Sequence, residues 1–277
     1  MNCRIAEALK LVYKPVAILW SDEKPAGAKC FVEGKWGCVM GMFASVAEKG
    51  KTVAFDRQTY GCWGGGVGLG FGNAYKQFPG GEACFCRFLS SGNARSGDGQ
   101  AVAGTCAAWM RGEFRENFLN GEGYLKTPER VEQFVRNLPI IDVPSRYVIF
   151  KPLEDLSEGE TPVAVVMLPD PDQLSALVVL ANYDRPNTEN VIIPYAAGCQ
   201  TIGIFAYREA RRDPQRAVVG LTDLSARRYM RRLGRDLMTF TVPFAMFKEM
   251  EGNVEGSFLQ KETWQHLLKD RETVATE

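Results

Sequence analysis

Apolar positions along the chain fall into two rhythms, helical spacing in some stretches and short continuous runs in others. Residues 2–12 read as a short amphipathic helix, and Pro15–Trp20 as a strand. From Cys38 to Lys49, Val39, Met42, Phe43 and Val46 recur at helical spacing, and Gly50 stands where such a helix stops. Thr52–Phe55 reads as a buried strand, followed by a glycine-rich turn opening at Gly61-Cys-Trp-Gly-Gly-Gly. Turn signals crowd residues 73–126 (FPGGE, SSGN, RSGDG), which predicts a loop-rich insertion. Helix returns at Thr127–Asn137, with Thr127 suited to the cap and Pro128 to the first helical position. Tyr147–Phe150 is a further strand, and 153–161 a polar connector.

The second half repeats the grammar of the first. Pro162-Val-Ala-Val-Val matches Pro15-Val-Ala-Ile-Leu in kind, and a small-residue helical stretch holds Cys199 as the earlier one opens on Cys38. The strand Ala217–Leu221 and the turn at Thr222–Ala226 parallel Thr52–Phe55 and the turn at Cys62. These features predict an α/β fold with a mixed sheet and flanking helices. They are read as a single compact domain over 1–277, with two pseudo-repeated halves (1–150 and 151–277) and the insertion at about 73–126. Such a duplication sets Cys38 and Cys199 in equivalent places near a shared centre.

At 277 residues the chain is long enough to bury a substantial core. An apolar fraction of 45% with 24% charged residues excludes a disordered chain. Formal net charge is zero, so no nucleic-acid or membrane partner is expected. Lys10 and Lys14 interrupt the N-terminal apolar stretch, which argues against a secretory peptide, and no apolar run is long enough to span a bilayer. The expected location is the cytoplasm.

In that reducing setting eight cysteines become informative, because their thiols are free, reactive or metal-bound rather than paired. The single histidine, His266, excludes HExxH and paired-histidine zinc chemistry. Thiolate sulfur is the standard protein ligand of iron–sulfur clusters. Cys62 heads the candidates: it ends a strand and opens a run with six glycines by Gly72, where backbone N–H groups such as those of Gly64, Gly65 and Gly66 approach a cluster or anion. Its plainer reading is a packed thiol in a tight turn. Cys38 opens a helix, where the dipole favours thiolate, and otherwise serves as a small buried apolar residue. Cys199 lies among residues small enough for a ligand or a helix to come close. Cys84 and Cys86 form a C-x-C that points to opposite faces if extended and converges in a turn. Cys106 reads as core packing, and Cys3 and Cys30 as incidental.

The glycine run nowhere meets the G-x-G-x-x-G register, and the P-loop pattern is missing too. Nine arginines lie between Arg208 and Arg235 with acids interspersed, the pattern of a solvated face. Within that stretch Ser225 and Arg227, after a strand, are the members placed to face a site. His266 reads as a surface or core-edge residue of a terminal helix.

Several segments together resemble a family of ArCR-type proteins, domain of unknown function number 169. They are the PVAI strand, Cys38 opening a helix that ends Glu-Lys-Gly-Lys-Thr, and Cys62-Trp-Gly-Gly-Gly-Val-Gly-Leu-Gly-Phe. Pro171-Asp-Gln-Leu-Ser-Ala-Leu, Gly198-Cys-Gln-Thr-Ile-Gly and Leu221-Thr-Asp-Leu-Ser-Ala-Arg complete the set. The resemblance implies a cytosolic protein of anaerobes, with Cys38, Cys62 and Cys199 at motif positions, while Cys84-x-Cys86 resembles a longer subgroup only.

Two functions follow as expectations. In one, Cys62, Cys38, Cys199 and one of Cys84 or Cys86 hold an iron–sulfur or other thiolate-bound centre with a redox role and a redox partner. In the other, a metal-free pocket formed by the glycine run with Ser225 and Arg227 binds a small anionic metabolite. Homo-oligomerisation is a base-rate expectation.

Overall fold

The structure is a computed structural model and describes residues 2–274. In chain order the elements begin with α1 (Arg4–Leu9), β1 (Val16–Ser21), α2 (Val39–Lys49), β2 (Val53–Phe55) and α3 (Trp63–Leu69). Next come α4 (Gly81–Phe88), α5 (Gly97–Thr105), α6 (Gly112–Asn120) and α7 (Pro128–Asn137). The chain then runs through β3 (Tyr147–Pro152), β4 (Ala164–Met167), α8 (Pro171–Asn182), β5 (Val191–Ile192), α9 (Gly198–Ile202) and α10 (Ile204–Ala210). It closes with β6 (Ala217–Gly220), α11 (Leu224–Met230), β7 (Thr239–Pro243), α12 (Phe244–Gly252) and α13 (Glu262–Val274). Two compact units result: Met1–Phe71 with Asp142–Glu277, and Gly72–Ile141.

The first unit is built on a seven-stranded mixed sheet in the order β2-β3-β1-β4-β7-β6-β5, as expected for an α/β fold. Strand residues alternate between the faces. Ala17 and Leu19, Val165 and Met167, Val219, Phe240 and Val242 pack on one side with residues of α1, α8, α12 and α13. Helices α2, α9 and α10 also pack on the sheet. Burying one such Phe or Leu side chain contributes roughly 1.5–3 kcal/mol.

At the middle of the sheet β1 pairs antiparallel with β4. β3 and β2 extend it on one side, β7 and β6 on the other, all antiparallel, and β5 adds a parallel edge. The two arms thus share a strand order, but their connections differ. Only α2 links β1 to β2, whereas α8, β5, α9 and α10 lie between β4 and β6. A duplicated unit is therefore not established.

Two local expectations are corrected. The glycine-rich run after Cys62 is the helix α3, not a turn, and Gly70 ends it at φ 89°. Glycine is tolerated there because α3 meets α9 too closely for side chains. A Cβ on Gly203 would stand 1.9 Å from the Gly68 carbonyl oxygen, and one on Gly68 would stand 2.7 Å from the Cys199 backbone. In the second unit the stretch 73–126, expected to be loop-rich, holds the three helices α4, α5 and α6, with positive-φ glycines such as Gly80, Gly92 and Gly121 turning the chain around them, while α7 is the helix expected at Thr127–Asn137. The turn signals were real, but they separate short helices. Inside this unit Tyr75 stacks on Phe85 with centroids 3.8 Å apart, and buried Asn93 donates to the carbonyls of Cys84 and Phe118.

Gly203→Ala is expected to cost about 1–3 kcal/mol through overpacking. Gly252→Ala, where a Cβ meets nothing within 4 Å, is the neutral control. Urea denaturation of the two variants checks this, with a lowered midpoint for Gly203→Ala alone.

Candidate functional site

Four helices of the first unit bring their first turns together. Cys38 stands at the N-cap of α2, Cys62 at that of α3, Ala197 at that of α9 and Asp223 at that of α11. The crowding is measured at their glycines. A Cβ on Gly65 would lie 2.8 Å from Val39 Cγ2, and one on Gly198 would lie 2.8 Å from Ala226 Cβ and 3.3 Å from Met40 Sδ. One on Gly68 would lie 2.9 Å from Cys199 Sγ. Upstream, the Phe31 ring fills the space over both Gly37 and Gly61, and Gly61 adopts φ +85° against the Gly37 carbonyl. The residues just before Cys38 and Cys62 are therefore held against each other, and the two N-caps with them.

Three polar groups in this gathering tie the helix starts together, while the Cys38 side chain makes no capping bond to α2. The Cys62 sulfur accepts the Gly65 N–H at 3.3 Å, so it caps α3 as a serine would. The Cys199 thiol donates to the Gly64 carbonyl at 3.2 Å and ties α9 to α3. Asp223 accepts from Ala226 N–H at 2.6 Å with one oxygen and from Gly198 N–H with the other, so one carboxylate joins the starts of α9 and α11. Two backbone donors that would otherwise be orphaned at helix starts are satisfied by a single side chain.

The electrostatics confirm the proximity of the three thiols. Burial pushes the Cys62 thiol up to about 11, with Cys38 and Asp223 adding to the rise. Burial raises Cys38 as well, and Asp223 contributes. Cys199 is held well above the ordinary thiol value, first by burial and then by Cys62, Cys38 and Asp223. Asp223 itself is raised by burial, against the pull of the Ala226 and Gly198 N–H groups. Uncompensated negative charge is disfavoured throughout the cluster, so the thiols are protonated at neutral pH. Among the described residues no group of three or more His, Cys, Asp or Glu side chains stands ready-arranged for a metal ion.

The remaining sequence candidates lie elsewhere or are otherwise engaged. Gly64, Gly65 and Gly66 form the first turn of α3. Arg227 donates to the carbonyls of Leu237 and Arg235, which fixes the segment after α11, and Ser225 is exposed on that helix. Cys84 and Cys86 are in α4 of the second unit, where i and i+2 positions do not share a face. Cys84 accepts from Arg87 there, and burial raises Cys86 to about 11. His266 is exposed on α13. Asp223 was missed from the sequence, although Thr-Asp-Leu-Ser-Ala after a strand is an N-cap signal.

Only thiolate reacts with alkylating agents, so a raised pKa slows labelling at a given pH. At pH 8 iodoacetamide is expected to label exposed Cys30 well before Cys62, with the Cys62 rate climbing as pH approaches about 11. Peptide mass spectrometry of the metal-free protein across pH checks this. Equal rates for Cys30 and Cys62 at pH 8 would contradict it.

Among the described residues no helix is long and apolar enough to cross a membrane. No curated protein and no solved structure matches the chain. A family model does match, over residues 4–253, and its description is uncharacterised ArCR. The protein belongs to that family, domain of unknown function number 169.

Proposed function

We propose that the first unit holds a thiolate-bound metal centre, an iron–sulfur cluster in the form we favour, with a redox role in the cytoplasm of an anaerobe. The observation that carries the reading is the meeting of Cys38, Cys62 and Cys199, from three distant parts of the chain, at one group of helix starts. Soft sulfur donors fit iron and other thiophilic metals. Asp223 is spent on two backbone N–H groups, which leaves the thiols as the donor set. The thiols as they stand do not form a closed ligand shell, so binding entails turning the side chains toward one another and losing the Cys199 bond to Gly64. A bound cation supplies the positive charge that burial withholds, and coordinated thiols lose their protons.

Three protein thiolates leave one coordination position for water, substrate or a partner's group. Bound, such a centre supplies one-electron chemistry or Lewis acidity. The chain's own residues contribute its placement. Gly64 and Gly65 offer N–H groups to the Cys62 sulfur, a contact that tunes the potential of thiolate-bound iron. Cys84 and Cys86 belong to the other unit, and the proposed set does not include them.

Protein isolated without oxygen is expected to carry iron with acid-labile sulfide, or another thiophilic metal, and Cys62→Ala to lose most of it while staying folded. Metal and sulfide analysis with circular dichroism reads both. Metal-free, colourless protein from oxygen-free cells would sink this reading and leave the metal-free pocket for a small anionic metabolite.

A further inference from the structure

The thiols at the helix starts form a donor set of a particular kind. Their carboxylate neighbour, Asp223, has its two oxygens taken by the Gly198 and Ala226 N–H groups, which leaves sulfur as the donor. Three sulfurs are one short of the four ligands that a tetrahedral metal ion takes. They are also withdrawn from water: Cys199 is 7% exposed, and Cys38 and Cys62 are half-buried.

The frame around the sulfurs is rigid, whereas the sulfurs themselves can turn. Gly68 against Gly203, Gly61 against Gly37 and the Asp223 carboxylate hold the helix starts in place. Within that frame a single torsion, χ1, places each sulfur. Cys38 has no capping bond to lose, Cys62 gives up the Gly65 N–H, and Cys199 gives up the Gly64 carbonyl.

Charge then selects among soft ligands. A divalent ion on three thiolates leaves a net negative charge inside the protein, beside the Asp223 carboxylate, and burying unpaired charge is costly. A trivalent centre on three thiolates is neutral. Arsenic(III) and antimony(III) are soft centres that match thiolate. They take three sulfurs in a pyramid completed by a lone pair, so the missing fourth ligand is not needed. Their oxyacids are small and uncharged at neutral pH, and an uncharged molecule enters a buried site more readily than an ion.

We propose that Cys38, Cys62 and Cys199 are a receptor site for a trivalent metalloid oxyacid, arsenite or antimonite, held as a tris-thiolate. The inference rests on the metal-centre reading for the convergence of the three thiols, and takes from it neither iron nor a redox role. Each As–OH bond is exchanged for an As–S bond, and the departing hydroxyl takes the thiol proton and leaves as water. One arsenous acid and three thiols thus give one tris-thiolate and three waters, with no change of oxidation state. The half-buried Cys38 and Cys62 make the first two bonds, and buried Cys199 closes the third.

The test titrates the full chain, stripped of metal and kept reduced with a phosphine, with arsenite. One tightly held arsenic per chain is expected, and X-ray absorption at the arsenic edge should show three sulfur neighbours and no oxygen. Cys38→Ser, Cys62→Ser and Cys199→Ser should each weaken binding about a hundredfold, as loss of one arm of a multivalent contact does. Cys84→Ser with Cys86→Ser should leave binding unchanged. Cys38→Ser is the variant least exposed to misfolding, since no capping bond is lost, and circular dichroism checks the fold of each. No arsenic retained, fewer than three sulfurs around it in the unaltered chain, or binding indifferent to Cys38→Ser would overturn the proposal. Iron and sulfide are measured on the protein as isolated without oxygen. Iron-bearing protein whose stripped form takes no arsenite keeps the metal-centre reading and removes this site. Metal-free protein that takes arsenite on the three sulfurs does the reverse.

Discussion

The candidate site depends on the contact between α3 and α9, which exists only because Gly68 and Gly203 have no side chains. Backbone approaches this close are rare between helices, and a single methyl group on either residue would force them apart. With the helices in contact, Cys199 reaches the Gly64 carbonyl and lies within electrostatic range of Cys62. The Asp223 carboxylate then fixes α11 to α9 through two backbone N–H groups. Packing and hydrogen bonding thus perform the same task from two sides. They hold three thiols and one carboxylate where chain separation alone would leave them apart.

The energetics of that arrangement are lopsided. Helix starts favour negative charge, since their first N–H groups point outward unpaired. Burial opposes it, and for Cys62, Cys38 and Cys199 burial is the larger effect. Asp223 supplies the cluster's one carboxylate, and every additional thiolate works against it and against the others. A group of neighbouring, protonated thiols is a poor nucleophile and a good receptor for a soft cation, whose charge reverses the balance.

Much of this was legible in the sequence. The strand at Val16–Ser21, the α2 helix with its Gly50 stop, and the Thr127 cap with Pro128 after it all followed from period and cap chemistry. Cys38 and Cys62 were singled out by their positions at element boundaries, and both stand at helix N-caps; Cys199 was singled out by its small neighbours, and it lies in the first turn of α9. What was not legible came from tertiary contact. Gly64, Gly65, Gly66 and Gly68 lower helix propensity enough to read as a turn, yet close packing of Gly68 on α9 and of Gly65 on Tyr60 and Val39 leaves no room for a side chain at those two positions. In the second unit the same glycine signals marked the joints between helices that aromatic packing then stabilised. Asp223 went unnoticed because its neighbours Ser225 and Arg227 carry more conspicuous chemistry, although one is exposed and the other braces a loop. The inner strand β7, Thr239–Pro243, follows an arginine-rich stretch and was not picked out, although its Thr-Phe-Thr-Val alternation is a strand signal.

The most direct test of the central claim is X-ray absorption at the metal edge of protein reconstituted with cobalt. The account predicts about three sulfur scatterers at about 2.3 Å, reduced by one in each of Cys38→Ser, Cys62→Ser and Cys199→Ser. A shell of oxygen and nitrogen alone, or a sulfur count indifferent to all three substitutions, would contradict it.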